Sequence, residues 1–288
     1  MPRVWQGLTA SITGAAHRRA GRPNQDAVRL WPARQGSPLL LVLADGHGSA
    51  RCFRSAQGAR IAVAVTRAVL AQVPRGLYRS ATKSWVEQVL PRELVRQWRE
   101  RVTRACQRRP FRAEELAQLT AGARAALAAD PALAYGSTLV AIAIFEHFII
   151  FVQLGDGDIL TLSTRGEVCR PIPRDPRLMG NVTTSLCSPQ AWRDVEICFH
   201  HLAGEPPVLI LAATDGYANA FRDEANFRVA ALDYWIALRP AGAAGITPQL
   251  PGWLEEASVQ GSGDDISLGL LWRPAARTDE DDVPGAAP

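Results

Sequence analysis

Three features of the 288-residue chain predict an α+β fold. Strand-like segments fall in runs, helix-like segments fall in a separate block, and the runs 138–145 and 148–154 are separated only by Glu146 and His147, which reads as a hairpin. A doubly wound parallel sheet would instead alternate strand and helix along the chain.

From the N-terminus, residues 5–12, Ala27–Trp31 and Leu39–Ala44 read as strands. The last of these, LLLVLA, is an apolar run of the length and glycine-bounded setting of a buried strand. Residues 52–72 and 84–129 read as a block of two or three helices, with Pro91 and Pro110 at interruptions or first-turn positions. After the 138–154 hairpin, a second hairpin is expected over 159–169, turning near Arg165-Gly166. Residues 171–189, rich in proline and polar side chains, form an ordered loop or flap, and 208–213 and Ile266–Trp272 supply two more buried strands. Residues 1–273 are expected to form one domain, with 274–288, acidic and then Pro-Gly-Ala-Ala-Pro, as a disordered tail.

Composition narrows the function classes. With 47% hydrophobic residues the chain is a folded globular protein long enough to bury a substantial core. No apolar stretch reaches the roughly 18 residues of a membrane span, and residues 1–14 lack a secretory apolar block, so no membrane partner and a cytoplasmic location are expected. Five cysteines, odd in number and without CxxC spacing, argue against a disulfide framework and against zinc. The net charge of +4 gathers its arginines over 75–124 around Lys83, the only lysine. Without interleaved aromatics this stretch reads as a solvated helical face, and nucleic acid is not an expected partner.

The chemistry lies at the strand ends. Three apolar runs each end in an aspartate, at Asp45, Asp156 and Asp215, and the run ISLGLLW is preceded by Asp264 and Asp265. Several carboxylates along one sheet edge repel one another, and divalent cations offset that repulsion. An all-carboxylate, water-rich site suits Mg2+ or Mn2+, and glycine beside Asp45, Asp156 and Asp215 lets backbone and solvent approach closely, so that a backbone carbonyl can serve as a ligand.

Six segments then carry a family resemblance: Pro23-Asn24-Gln25-Asp26-Ala27, Ala44-Asp45-Gly46-His47-Gly48, Gly136-Ser137-Thr138-Leu139, Leu154-Gly155-Asp156, Thr214-Asp215-Gly216-Tyr217 and Gly263-Asp264-Asp265-Ile266-Ser267. In this order the chain resembles the metal-dependent protein serine/threonine phosphatases of the PP2C (PPM) family, bacterial type, from Arg22 to Trp272. The resemblance implies a four-layer sandwich of two central antiparallel β-sheets flanked by α-helices. It also implies two Mg2+ or Mn2+ ions bridged by Asp45, with the Gly46 carbonyl contributing, Asp215 and Asp264 holding one ion, and Asp156 joining Asp215 at a weaker third. A water activated by the ion pair would attack phosphorus while His47 protonates the departing serine or threonine oxygen. The implied partner is a phosphorylated protein, such as a serine/threonine kinase or its target.

Departures from the family pattern define what is particular here. Gln25 stands where a glutamate is common and would accept from a water around an ion, Asp26 would order water there, and Asp265 stands where asparagine is frequent, as a hydrogen-bonding partner or a direct ligand. The family's phosphate-binding arginine position is Gly21; Arg22 is the favoured substitute, with Arg18 and Arg19 as alternatives. Asn219 replaces a third-metal carboxylate.

His17 is balanced between the phosphate side of the site and an exposed loop, His147 reads as a hairpin tip, and His200-His201 have no acidic partner at ligand spacing. Ser137 and Thr138 lack a nucleophile elbow and are expected to pack beneath the metal site. Asp156-Gly157-Asp158 as an aspartyl-phosphate or sugar-transfer motif lacks its companions. The stronger rival is a catalytically weakened, phosphatase-like binding or regulatory module, favoured by the missing charge at Gln25 and Asn219.

Overall fold

A computed structural model describes residues 5–34, 38–74, 79–178 and 183–274. Residues 75–78 of the arginine-rich stretch, 179–182 of the flap and 275–288 of the expected tail lie outside the described residues. In chain order the elements are β1 (Gln6–Ile12), α1 (Ala15–Arg19), β2 (Ala27–Trp31), β3 (Leu39–Ala44), α2 (Ser55–Leu70), α3 (Arg79–Gln88), α4 (Leu90–Arg108), α5 (Ala113–Ala117) and α6 (Ala121–Ala129). They continue with β4 (Leu139–Ile144), β5 (Phe148–Leu154), β6 (Asp158–Leu162), β7 (Val168–Cys169), β8 (Glu196–His201), β9 (Leu209–Ala213), α7 (Asp215–Ala218), α8 (Glu224–Ile246), α9 (Leu250–Ala257) and β10 (Ile266–Trp272).

The strands form two five-stranded sheets, ordered β1-β10-β9-β6-β7 and β2-β3-β4-β5-β8, in which every strand pair is antiparallel. The sheets stack face to face with helices outside both, giving the α+β four-layer sandwich. The two-sided burial explains why the central strands read as unbroken apolar runs. Along β3, Leu39, Leu41 and Leu43 enter the core between the sheets with Val140, Ile142, Ile210 and Leu271. The alternate residues Leu40, Val42 and Ala44 face α2 and α4, packing with Ala59, Val63, Leu94 and Trp98. On the opposite face, α8 and α9 cover the other sheet through Phe227, Tyr234, Leu250 and Leu254 against Leu160, Leu211 and Leu268. Period 2 in a strand distributes its side chains to both layers, so neither face can be polar.

Several elements differ from the sequence expectation. Residues 84–129 hold four helices instead of one or two, because Pro91 sits in the first turn of α4 and Pro110 lies between α4 and α5, where it ends the helix. The helices α1, α7, α8 and α9 and the strand β8 are additional to the elements the sequence pattern predicts. β8 lies at the edge of its sheet beside β5, so its residues are half-exposed and its pattern weak. α8 breaks at Gly242 (φ 59°) two residues after Pro240, which blurs its helical period. The arginines of α4 form a solvated face: exposed Arg96 pairs with Glu93 and Glu100, and Arg104 with Glu100. Among the described residues no helix is long and apolar enough to cross a membrane.

Candidate active site

Both sheets end at one place. β2 begins there after Gln25-Asp26, β3 and β5 end there before Asp45 and Asp156, β9 ends before Asp215 at the start of α7, and β10 begins after Asp264-Asp265. The carboxylates come from strands of both layers, so the site is a property of the stacked pair.

Backbone hydrogen bonds fix the turn after β3. Asp45 N–H donates to Thr138 Oγ1 (3.1 Å), Thr138 N–H returns to the Asp45 carbonyl (2.9 Å), and His47 N–H donates to the Gly136 carbonyl (3.2 Å). Gly136 and Thr138 thus hold the loop, with Ser137 in an isolated backbone bridge to Gly46, and Ser137 and Thr138 are both buried. On the other side Asp265, 3% exposed, accepts from the backbone N–H of Gly14 (Oδ1, 2.7 Å) and of Gln25 (Oδ2, 2.7 Å), tying β10 to the segments before α1 and β2. Gly216 permits this packing: a Cβ there would stand 2.1 Å from the Asp265 carbonyl oxygen.

Two groups of ligand atoms result. Asp45, Asp156 and Asp215 each offer an oxygen, all within 4.8 Å of one another, and His17, Asp264 and Asp265 form a second group within the same limit. Among the described residues no arginine, lysine or histidine makes an ion pair with Asp26, Asp45, Asp156 or Asp215. Asp26 Oδ1, Asp156 Oδ1 and Gln25 Oε1 are buried without a hydrogen-bond partner. Burial holds Asp45 well above the usual carboxylate range, reinforced by the charges of Asp26, Asp215, Asp264 and Asp156. Burial likewise pushes Asp26 up to about 7, against a hydrogen bond from Thr214 Oγ1 (2.9 Å), and Asp215 up to about 6. Buried, mutually repelling, partnerless oxygens are what a hard divalent cation would satisfy, and the donor set fits Mg2+ or Mn2+.

His47 is half-buried beside this cluster. Burial lowers its pKa, the Asp156 charge opposes that, and the Arg51 charge adds to it. Arg51, exposed in the helical turn 50–52, is therefore a cation acting on the site that the sequence reading missed; its place four residues after His47 was the available signal. Of the expected phosphate-binding arginines, Arg22 and Arg19 are exposed and make no side-chain hydrogen bond or ion pair among the described residues. Arg18 donates to the Thr13 carbonyl (2.7 Å) and approaches Glu255 (3.9 Å).

His17 is not the exposed loop residue it could have been: it lies in α1 with its side chain 14% exposed, against Asp264 and Asp265. Asn219 Nδ2 donates to Asp215 Oδ2 (3.0 Å). Asp158 is buried and paired with Arg170 and Arg174, so Asp156-Gly157-Asp158 does not act as a two-carboxylate motif. His147 is exposed at the β4–β5 hairpin and His200-His201 lie in β8. A cavity of about 230 Å³ opens beside Asp156 and Asp215, lined also by Arg174, Asp175, Leu178 and Asn219.

The family model described as Protein phosphatase 2C matches residues 13–255. A comparison with curated protein sequences returns no match. Among solved structures, the chain is similar to the serine/threonine phosphatase Stp1 from Staphylococcus aureus at 14% identity and a TM-score of 0.59, over 94% of this chain and 96% of that one. It is similar to PppA, a regulatory component of T6SS in Pseudomonas aeruginosa, at 19% identity and a TM-score of 0.57, over 94% and 98%. It is also similar to the catalytic domain of the serine threonine protein phosphatase PstP, in complex with 2 manganese ions, at 19% identity and a TM-score of 0.54, over 94% and 99%. At these identities the likeness is one of fold.

Proposed function

The chain belongs to the protein phosphatase 2C family, and from that premise we propose that it hydrolyses phosphoserine and phosphothreonine in proteins with the help of two Mg2+ or Mn2+ ions. The observation that carries this reading is the convergence of Asp45, Asp156 and Asp215 within 4.8 Å of one another, without a cationic partner among the described residues.

Asp45, the Gly46 carbonyl, Asp215 and Asp264 are the residues that would hold the ions, with Asp156 beside them and Gln25 and Asp26 facing the surrounding water. When bound, the ions supply charge neutralisation for the phosphoryl oxygens and a water of lowered pKa. The residues of the chain do the rest. Asp45, anchored through its backbone to Thr138, sets the position of the site relative to β3 and β4. His47 delivers a proton to the departing serine or threonine Oγ, which a good leaving group does not require. Arg51, whose charge acts on His47, would meet an incoming phosphate on that side, with Arg22 as the second arginine for the role.

The substrate is a phosphorylated protein, a kinase or its target, and the unpaired cysteines suit a reducing, cytoplasmic compartment. Gln25 and Asn219, both neutral, favour the rival reading of a phosphatase-like binding module. The deciding experiment is turnover of a phosphothreonine peptide by purified protein with Mn2+, with Mg2+ and with chelator. Metal-dependent release of phosphate that disappears in Asp45→Asn is expected. Peptide binding without turnover in either metal would leave the binding module standing.

A further inference from the structure

We propose that His17 is a direct ligand, through Nε2, of the cation at Asp264, supplying the donor that the neutral Gln25 does not; the inference rests on the metal-dependent reading above. α1 is pinned to the loop before β10: Ala15 N–H donates to Ser258 Oγ (3.0 Å) and Ala16 N–H to the Gly263 carbonyl (2.8 Å). That docking carries His17 onto Asp264-Asp265. Its Nε2 lies 3.7 Å from Asp264 Oδ1 and its Nδ1 lies 2.9 Å from Asp265 Oδ2. The Nδ1 approach is bent, so Nδ1 makes no hydrogen bond of good geometry despite the short separation.

Two further observations aim the ring at the site. A Cβ built on Gly48 would meet Gln25 Oε1 at 3.1 Å and His17 Nε2 at 3.7 Å, so both atoms border the same small space beside the Asp45-Gly46-His47-Gly48 turn. Gln25 Oε1 is buried there without any partner. Asp265, by contrast, already accepts from two backbone N–H groups and is fixed by them. Its Oδ2 lies against Nδ1, which leaves Nε2 as the ring atom on the Asp264 side. Asp264, half-exposed, and His17 Nε2 remain as the donors on this side.

A nitrogen ligand has a consequence for metal choice: imidazole suits Mn2+ and later divalent ions better than Mg2+. The test is calorimetric titration of the chelator-treated full chain with MnCl2 and with MgCl2, for wild type, His17→Gln and His17→Ala, with thermal melting in chelator to establish folding. One Mn2+ site is expected to weaken about tenfold or more, as outer and inner contacts of this kind do. The other site and the Mg2+ affinities are expected to stay within about threefold.

Mn2+ isotherms that superimpose in wild type and variants would overturn the assignment while leaving the metal-dependent reading intact. Absence of any Mn2+ binding in wild type would overturn both. Should the variants fail to fold, ¹⁵N-histidine spectra of wild type titrated with CdCl2 decide. Coordination moves the His17 Nε2 resonance, whereas a resonance unmoved at saturating CdCl2 overturns the proposal.

Discussion

Asp156 and Asp158 stand on either side of Gly157 where the chain passes from β5 to β6, and they live in opposite electrostatic settings. Asp158, 1% exposed, is paired with Arg170, itself joined to Glu224 of α8 (2.7 Å), and with Arg174 (3.2 Å). Asp156 has a buried oxygen without a partner and faces Asp45 and Asp215. Where a buried carboxylate serves the fold, arginine accompanies it. Where several converge at one edge, no arginine, lysine or histidine among the described residues pairs with Asp45, Asp156 or Asp215. An uncompensated buried charge costs several kcal/mol, so such a group persists only with a compensating use. The contrast extends to Arg54, buried beneath the loop after β3. It donates to Glu115 through Nε (2.9 Å) and Nη2 (2.8 Å) and to Tyr135 Oη (2.8 Å), and it holds Glu115 down at about 2.

The largest expected effect falls on the bare cluster. Asp45→Asn should lower kcat for a phosphothreonine peptide by about 10³-fold, the loss of several kcal/mol of phosphoryl charge stabilisation, with the melting temperature in chelator unchanged or raised. An enzyme that keeps a tenth of its activity would break the comparison. Asp158→Asn should do the reverse, costing about 3 kcal/mol in urea unfolding because Arg170 loses its buried partner, with kcat per folded molecule within about twofold.

The two regions should also answer pH with opposite signs. Asp26 and Asp215 sit at about 7 and about 6 against an ordinary 3.8, so the metal-free folded state takes up protons that the unfolded chain does not. The stability they contribute is complete below 3.8 and is lost as pH rises through 6 to 7. Glu115 is lowered from 4.5 to about 2, so its contribution is present above 4.5 and is lost as pH falls toward 2. In chelator, melting should therefore occur on the order of 5 °C higher at pH 5 than at pH 8, and Mn2+ should flatten or reverse that slope because it binds the deprotonated carboxylates. A chelated protein that is more stable at pH 8 would contradict the electrostatics of the site. The smallest effect is Asp156→Asn, which removes one charge facing Asp45 and Asp215. It should stabilise the metal-free protein by about 1 kcal/mol while weakening Mn2+ binding in calorimetry.

Much of this was legible before any fold was known. β2 and β3 fall where their patterns place them, and the aspartates at Asp45, Asp156 and Asp215 stand out because each ends an apolar run and is followed by glycine. α1 was not legible, since five residues between glycine-containing turns carry too little period to read. β8 hides because an edge strand alternates only weakly. His17 was balanced between the site and an exposed loop, because Asp264 and Asp265, which it meets, lie at the other end of the chain.

The sequence by itself determined the α+β class, the two-sided burial of the central strands and the strand-end positions of the acidic residues, because periodicity and strand termination are local properties of a chain. Tertiary structure decided which of those carboxylates would be neutralised. Asp158 meets Arg170 through β6–β7 pairing and the following loop, Asp265 is held by Gly14 and Gln25 from the other end of the chain, and His17 reaches Asp264 only because α1 docks on the loop before β10. Charge neutralisation depends on separations of a few ångströms in space, and those are set by how the two sheets and their helices stack.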